Sequence, residues 1–406
     1  MSNRRGHNPT PAPTPTPVPT PVASSVGMAD AFVSSIGVNT QIDYTNTVYY
    51  TNWPAIWTLL QASGIRNVRD GLNDDGAWYY ERLSSIIAAG ISLDLVSTPG
   101  QTSAWVSGFS KLVPGILSIE GANEWDANGG TGWVAADIAW QELVFKAVNK
   151  TLPVLGPSLA SSASYPLLGS GALPYQNYGN LHMYFDNYNP GNTGYGDAFA
   201  PYGTFGTMSF WLNLVKSISG TQPIIITETG YDQEAGFIDA ATVAKYLVRT
   251  LLMTWNAGVS KTFIYEFADE GGSAGNFGLV TASAAPKPAY VAIKSLIAAL
   301  ADPGATFATT PLSYTISGAS TMQSTLLQKR NGTYILAIWN EVPSWNTSTN
   351  VEIVVPPQTV TLTFTKAPTS ISALAFNAAG NLVASPVSAT HSLAITDTVT
   401  LVTITP

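Results

Sequence analysis

The chain of 406 residues contains no cysteine, which excludes disulfides, thiolate nucleophiles and zinc–thiolate sites. Charge is also scarce: 10% of residues are charged against 45% hydrophobic, the balance of a compact globule with a neutral surface. Seventeen basic and 25 acidic side chains leave a net charge of −8, and no basic run is longer than the pair Arg4–Arg5. Nucleic acid and anionic membrane surfaces therefore drop out as partners, and a neutral polymer fits better. Histidine is limited to His7, His182 and His391. Only His182 falls within the strand-and-helix region, so a two-His or three-His metal site is not expected, nor is any other cofactor. A Ser-His-Asp triad would have to use His182, and no G-x-S-x-G elbow accompanies it. No apolar run reaches the length of a membrane span. The N-terminus MSNRRGHNP is basic but no apolar h-region follows, so no signal peptide is visible.

Residues 9–21 (PTPAPTPTPVPTP) alternate proline with threonine, a composition that forms extended, solvated polyproline II and no core. Tracts of this kind recur as spacers in secreted polysaccharide enzymes, which tilts the expectation toward a place outside the cytoplasm and does nothing more. Residues 1–29 are expected to be a tail or linker. From 30 to 305 short apolar strands alternate with amphipathic helical segments, the pattern of βα units. Eight strands are predicted: 32–39, 65–71, 91–97, 116–123, 152–158, 180–186, 223–230 and 261–269. Helical patterns lie between them at 53–63, 78–89, 135–149 and 240–258. The first sets Trp53, Ile56, Trp57 and Leu60 at i, i+3, i+4 and i+7, one apolar face. Eight strands each followed by a helix predict a (β/α)8 TIM barrel. A doubly wound sheet is the rival, but no Gly-rich phosphate loop follows the first strand. Across 306–406 short β-rich runs (TLLQKR, TYILAIWNE, NVEIVV, QTVTLTFT, SISALAFN) recur at the roughly 8–12-residue spacing of a β-sandwich. TYILAIWNE is apolar on both faces, so this domain is expected to pack on the barrel as support. A strand from residues 22–31 would complete it.

Function in a barrel gathers where strands end and βα loops begin. Strand two ends in Arg69 and Asp70, strand four in Asn123 and Glu124, and strand six in His182, Tyr184 and Asp186. Strand seven ends in Glu228, and strand eight in Tyr265, Glu266 and Asp269. Glu124 and Glu228 each follow an apolar run and precede a polar loop, at opposite sides of the predicted mouth. One carboxyl to protonate a leaving oxygen and one to attack an anomeric carbon is the equipment of a retaining glycosidase. Alternation along the strands puts Glu124 on the face of Ala122 and Glu120, and Glu228 on that of Ile226 and Ile224. Arg69 and Tyr184 would stabilise an ionised nucleophile, and its charge would push the Glu124 carboxyl up so that it stays protonated. Glu120 is expected to be a buried structural partner of an arginine. Glu266 and Asp269 either bind sugar hydroxyls or hold the eighth loop. Trp53, Trp78, Trp125 and Trp133 fall near βα loops, and Trp125, beside Glu124, is the best candidate for a subsite wall.

These residues resemble those of the superfamily of retaining (β/α)8 glycoside hydrolases of the clan A type. The resemblance implies that Glu124 is the acid/base, Asn123 binds the sugar 2-hydroxyl and Glu228 is the nucleophile. His182 and Tyr184 match the family's His-X-Tyr on strand six, which implies that Tyr184 hydrogen-bonds the nucleophile, and Arg69 matches the strand-two arginine that keeps it ionised. GVNTQIDY, VRDG and the appended sandwich are most similar to the xylosidase-like and exopolysaccharide-hydrolase branch. Many members end strand eight in a tryptophan that floors a subsite. Here the stretch is FIYEFADE, with Tyr265 or Phe267 in its place. The implied protein is an extracytoplasmic, monomeric, cofactor-free glycosidase acting on a β-linked polysaccharide or oligosaccharide. A transglycosylase would use the same residues, and a carbohydrate-binding barrel without activity is the rival from another class.

Overall fold

The structure, a computed structural model, describes residues 20–21, 26–233, 237–271, 275–318 and 320–406, so the Pro-Thr tract up to residue 19 lies outside the described residues. Eight parallel strands form its centre: β1 (Ile36–Asn39), β2 (Asn67–Gly71), β3 (Ser92–Val96), β4 (Ile116–Glu120), β5 (Val154–Leu155), β6 (Gly179–His182), β7 (Ile224–Thr229) and β8 (Lys261–Ile264). Their spatial order is β5-β4-β3-β2-β1-β8-β7-β6, each strand beside its sequence neighbours and β1 beside β8. Gly156 N donates to Tyr178 O at 3.0 Å and Asn177 N to Val154 O at 2.7 Å. These bonds join β5 to β6 and close the sheet into a TIM barrel.

The expected helices appear as Trp53–Ser63, Ala77–Ala88, Trp133–Val148 and Ala240–Asn256. The first carries Pro54 in its opening turn and stops at Gly64, whose φ of +76° suits only the left-handed end of a helix. The last is capped by Asp239, which accepts from Thr242 N at 2.7 Å. Two expectations fail. The segment 32–39 is not all strand, because Ala29–Ser34 is a helix that buries Ala29, Phe32 and Val33; Ala29, Phe32 and Val33 sit at i, i+3 and i+4, a helical period hidden in an apolar run. Between β5 and β6 the longest α-helix is the four-residue Tyr165–Leu168, since SLASSASYPLLGSGALPYQ is broken by serine, glycine and proline.

The C-terminal part is a sandwich of two antiparallel sheets. One contains Tyr314–Ser317, Gln358–Phe364 and Ser392–Ile395, and the other Met322–Gln328, Tyr334–Asn340, Thr400–Thr405, Ser370–Phe376 and Leu382–Ser385. Within the segment expected as a tail, Thr20–Pro21 pairs antiparallel with the first sheet and Gly27–Met28 parallel with the second. The run NVEIVV is not a sandwich strand. Only Val351–Glu352 pairs, with Trp345–Asn346, and Val354 is exposed ahead of Pro356 and Pro357.

Strand Tyr334–Asn340 is buried along its whole length. Leu336 and Ile338 face the sandwich interior, while Ile335, Ala337 and Trp339 belong to the barrel's own core. Its period-two alternation thus serves two apolar surfaces. At the same junction Arg249, fully buried on helix Ala240–Asn256, donates to Val342 O at 2.9 Å and Ser344 Oγ at 2.8 Å. One face of strand Tyr334–Asn340 thus joins the barrel core, while the other closes a separate interior within the sandwich.

Candidate active site

Inside the barrel the lower layer is apolar and small. Leu155, Ile225 and Phe263 fill it, and the Phe263 ring lies where a Cβ on Gly37 would come within 2.4 Å of it. Above this layer the interior turns polar, and one guanidinium organises it. Arg69 Nε and NH2 grip Glu120 at 2.6 and 3.1 Å, NH1 donates to Glu228 Oε1 at 2.7 Å, and NH2 also donates to Asn123 Oδ1 at 2.7 Å. Glu120 is fully buried and also accepts from Asn180 Nδ2 at 2.9 Å. Burial opposes its charge, but the Arg69 cation holds the carboxyl below the ordinary range. Next to it Asp94 accepts from Ser118 Oγ at 2.5 Å. Burial, then the charge of Glu120, pushes Asp94 well above the ordinary carboxylate range. Glu120 is therefore the arginine's structural partner, and Asp94 keeps its proton beside it.

Glu228 does not reach the mouth by simple alternation. Ile224 and Ile226 pack outward into the core under the helices, whereas Ile225 points into the barrel. Thr227 also points inward, where its hydroxyl donates to Asn180 Oδ1. The register of β7 then shifts between Ile226 and Glu228 against β6, and between Ile226 and Thr229 against β8. This bulge turns two successive residues inward, a way of re-aiming a side chain beside a site. Glu228 Oε1 receives Arg69, and Oε2 receives the Tyr184 hydroxyl at 2.8 Å.

Glu124 arrives differently. Strand β4 stops at Glu120 rather than at residue 123. A Cβ on Gly121 would lie 1.9 Å from Gln141 Oε1, so only glycine lets the chain pass here. Ala122 and Asn123 continue as loop, held by Glu124 N donating to Ser158 O at 3.1 Å. Glu124 itself has φ of +48°, a left-handed conformation uncommon for a non-glycine residue and frequent at functional turns. It leads into the short helix Trp125–Asn128, pinned by Asp126, which accepts from Ala160 N and Ser161 N at 3.0 Å each. The Glu124 side chain is 32% exposed, against 11% for Glu228. Asn123 is exposed, and its amide oxygen accepts from Arg69.

His182 stands between the two carboxylates. Its Nδ1 is 2.8 Å from Glu124 Oε1 and 3.4 Å from Glu228 Oε2. Nε2 is buried with no partner among the described residues, so the tautomer with the proton on Nδ1 leaves only an acceptor unsatisfied. This hydrogen bond, against the opposing effect of burial, holds the Glu124 carboxyl below its ordinary range. The expected upward push from Glu228 is not found, because the imidazole intervenes and donates to Glu124 first. Glu124, His182 and Glu228 each offer a ligand atom within 4.8 Å of the other two. One imidazole and two carboxylates could hold a small divalent ion, but Arg69 already places a cation 2.7 Å from Glu228. The same atoms suit proton transfer and nucleophilic attack without one.

Other candidates fall into place around this centre. Tyr265 is half-buried and meets Phe277 edge-on at 5.6 Å, and Phe277 in turn meets Tyr184 at 6.1 Å. Phe267 is fully buried and cannot floor a subsite. Glu266 must be corrected as a substrate-binding residue: it is fully buried behind the mouth, taking the Tyr49 hydroxyl at 3.3 Å. Burial, then the charges of Glu270 and Asp269, pushes it up to about 9. Asp269 holds the eighth loop through Lys287 and Gly278 N, each at 2.8 Å. Trp125 is partly buried, its indole packed where a Cβ on Gly129 would lie, which disfavours it as a subsite wall. Trp53 stacks on Trp57, Trp78 covers Arg82, and Trp133 is buried.

Two cavities flank Glu228 and Tyr184. The first, about 170 Å³, is polar and includes Asp43, Asp70, Asn73 and Asn123. The second, about 360 Å³, is bordered by Tyr184, Asp186, Phe237 and Phe277. Asp43 and Phe277 were missed in the sequence because both sit in loops several residues past a strand end. The signal for Asp43 was its place in the GVNTQIDY motif.

No protein-family model and no curated protein matches the sequence. Among solved structures the chain is similar to a family 39 glycoside hydrolase from the gut symbiont Bacteroides cellulosilyticus WH2, with a TM-score of 0.67 and 14% identity over 94% of this chain and 82% of that one. It is also similar to the GH51 arabinofuranosidase from Xanthomonas axonopodis pv. citri, with a TM-score of 0.57 and 12% identity over 95% and 97% of the two chains. SrfJ from Salmonella typhimurium aligns at a TM-score of 0.50 and 8% identity over 91% and 89%. At these identities the likeness is one of fold, and it extends over nearly the whole chain, barrel and sandwich together.

Proposed function

We propose that this protein is a retaining glycoside hydrolase that cleaves a β-linked oligosaccharide or polysaccharide by double displacement, outside the cytoplasm. The observation that carries the reading is the pairing of Glu124 and Glu228, with carboxylate oxygens within 4.8 Å across the barrel mouth. Retaining pairs stand about 5–5.5 Å apart and inverting pairs about 6.5–9.5 Å, because the latter must admit a water. In this reading Glu228, gripped by Arg69 and Tyr184, attacks the anomeric carbon, and Glu124, the more exposed of the two, protonates the leaving oxygen. Asn123 presents its NH2 end to the sugar.

The low position of the Glu124 carboxyl beside His182 sets a condition on the acid step. A sugar settling on the half-exposed carboxyl strips its water and favours the protonated form. Once the leaving group departs, Glu124 is a carboxylate held by His182 and takes the proton of the incoming water. The test is to incubate purified protein with a panel of aryl β-glycosides and follow the first-formed sugar by proton NMR. A β-anomer released ahead of mutarotation supports the reading. An α-anomer released first overturns the retaining mechanism, and no release from any glycoside overturns the glycosidase reading.

A further inference from the structure

The polar cavity beside Glu228 lies past the ends of β1, β2 and β3, and its lining includes Gln41, Asp43, Arg69, Asp70, Asn73 and Glu228. Its lining contains three carboxylates and, among the described residues, one cation. That cation has no charge to spare. Four of the five N–H donors of a guanidinium are engaged here on Glu120, Glu228 and Asn123, and its one charge already faces two buried carboxylates. Asp70 is satisfied from within the protein: Thr40 Oγ1, Ile42 N, Tyr79 Oη and Gly71 N all donate to it, at 2.5 to 3.1 Å. Asp43 is less well supplied: Asn73 Nδ2 donates to its Oδ2 at 2.8 Å, its own backbone N–H supports the carboxylate, and Oδ1 is buried without a side-chain donor among the described residues.

We propose that this cavity takes an uncharged or amine-bearing sugar unit and turns away uronic acids, with Asp43 as the residue that sets the selection. The inference rests on the glycosidase reading and names its substrate class. A hydroxyl or ammonium group of the sugar settling against Asp43 gains a charge-assisted hydrogen bond to its carboxylate. A sugar carboxylate entering the same space meets Asp43, Asp70 and Glu228, and no uncommitted cation among the described residues. Like charges brought together in a partly dry cleft repel strongly. Burial already holds both Asp43 and Asp70 above the ordinary carboxylate range, and for Asp70 the charge of Asp43 adds to it. The cavity is thus short of positive charge before any ligand arrives.

The experiment compares kcat/KM for aryl β-glycosides that differ only in oxidation at C6, glucoside with glucuronide and galactoside with galacturonide, with β-xyloside and β-glucosaminide alongside. The best substrate is expected to be a neutral or amino sugar, with its uronide counterpart at least a hundredfold poorer. Asp43→Asn keeps the shape and removes the charge. It is expected to lower kcat/KM on the best substrate about tenfold or more, the worth of one charge-assisted hydrogen bond, while the uronide gains. Gln41→Arg leaves Asp43 in place and brings a cation to the same wall, and is expected to raise the uronide relative to the neutral sugar. Preference for the amino sugar over the neutral ones would mark an ammonium as the donor, and the reverse a hydroxyl. A uronide cleaved as well as its neutral partner overturns the inference and leaves the glycosidase reading standing. So does a neutral-to-uronide ratio unchanged in both variants, each shown folded by thermal unfolding. Cleavage of nothing in the panel overturns both.

Discussion

Arg69 offers the sharpest perturbation. Its side chain is 6% exposed and sits between Glu120 and Glu228, at 1% and 11%. Arg69→Met removes four hydrogen bonds and leaves two buried carboxylates facing each other across the vacated volume. Breaking one buried ion pair from one side costs about 3–5 kcal/mol, because the orphaned charge remains. A fall of that size in unfolding free energy is expected by denaturant titration, together with loss of glycoside turnover. The decisive comparison is the double variant Arg69→Met/Glu120→Gln. It removes both members of the structural pair, and replacing a whole buried pair is far cheaper than halving it. Stability is therefore expected to recover most of the loss, while activity does not recover, since Glu228 and Asn123 still lack their donor. The reasoning fails if Arg69→Met unfolds within about 1 kcal/mol of wild type, below the range for a broken buried pair. It also fails if the double variant regains turnover.

Other outcomes follow from particular residues. His182→Phe removes the donor that lowers the Glu124 carboxyl; the pKa then rises, so the alkaline limb of kcat/KM against pH is expected to move to higher pH, and a limb that stays in place would unseat His182 from this role. Asp137 is fully buried with both oxygens unpartnered among the described residues, and burial, then the charge of Asp126, pushes it from 3.8 up to about 7. The native state thus holds a proton that the unfolded chain releases, so stability falls as pH rises from about 4 to 7. At 1.36 kcal/mol per pH unit the cost reaches about 4 kcal/mol, and Asp137→Asn is expected to flatten that slope in unfolding measured at pH 4, 6 and 8. Truncation after residue 305 uncovers the barrel surface that meets Ile335, Ala337 and Trp339 and strips Arg249 of its partners. An insoluble or inactive product is expected, whereas a soluble and fully active barrel would show that the sandwich is not structural support.

The architecture was legible because each barrel strand is a short apolar run closed by a polar loop, a pattern local sequence can carry. The carboxylate pair was legible for the same reason, since strand ends mark the barrel mouth whichever way their side chains point. What failed was finer than the strand. Alternation from Ile224 and Ile226 assigns Glu228 the wrong face, and only the bulge at the end of β7 brings it inward. Glu266 and Tyr265 are neighbours in the chain, yet one is sealed behind Tyr49 and the other borders the cleft. The downward hold on Glu124 depends on an imidazole 58 positions away, and the barrel–sandwich junction on the contact of Arg249 with Glu341, 92 positions apart. Such couplings are set by the fold and leave no trace in composition or spacing.

The central claim is that Glu228 forms a bond to the sugar while Glu124 moves protons. The direct measurement is to react the protein with 2-deoxy-2-fluoro aryl glycosides of the sugars it cleaves, digest it, and locate the added mass by peptide sequencing. A glycosyl adduct on the carboxyl of Glu228, absent after denaturation or in Glu228→Gln, is the expected result. An adduct on Glu124 or another carboxylate, or turnover of the parent glycoside with inversion and no adduct, would contradict the account.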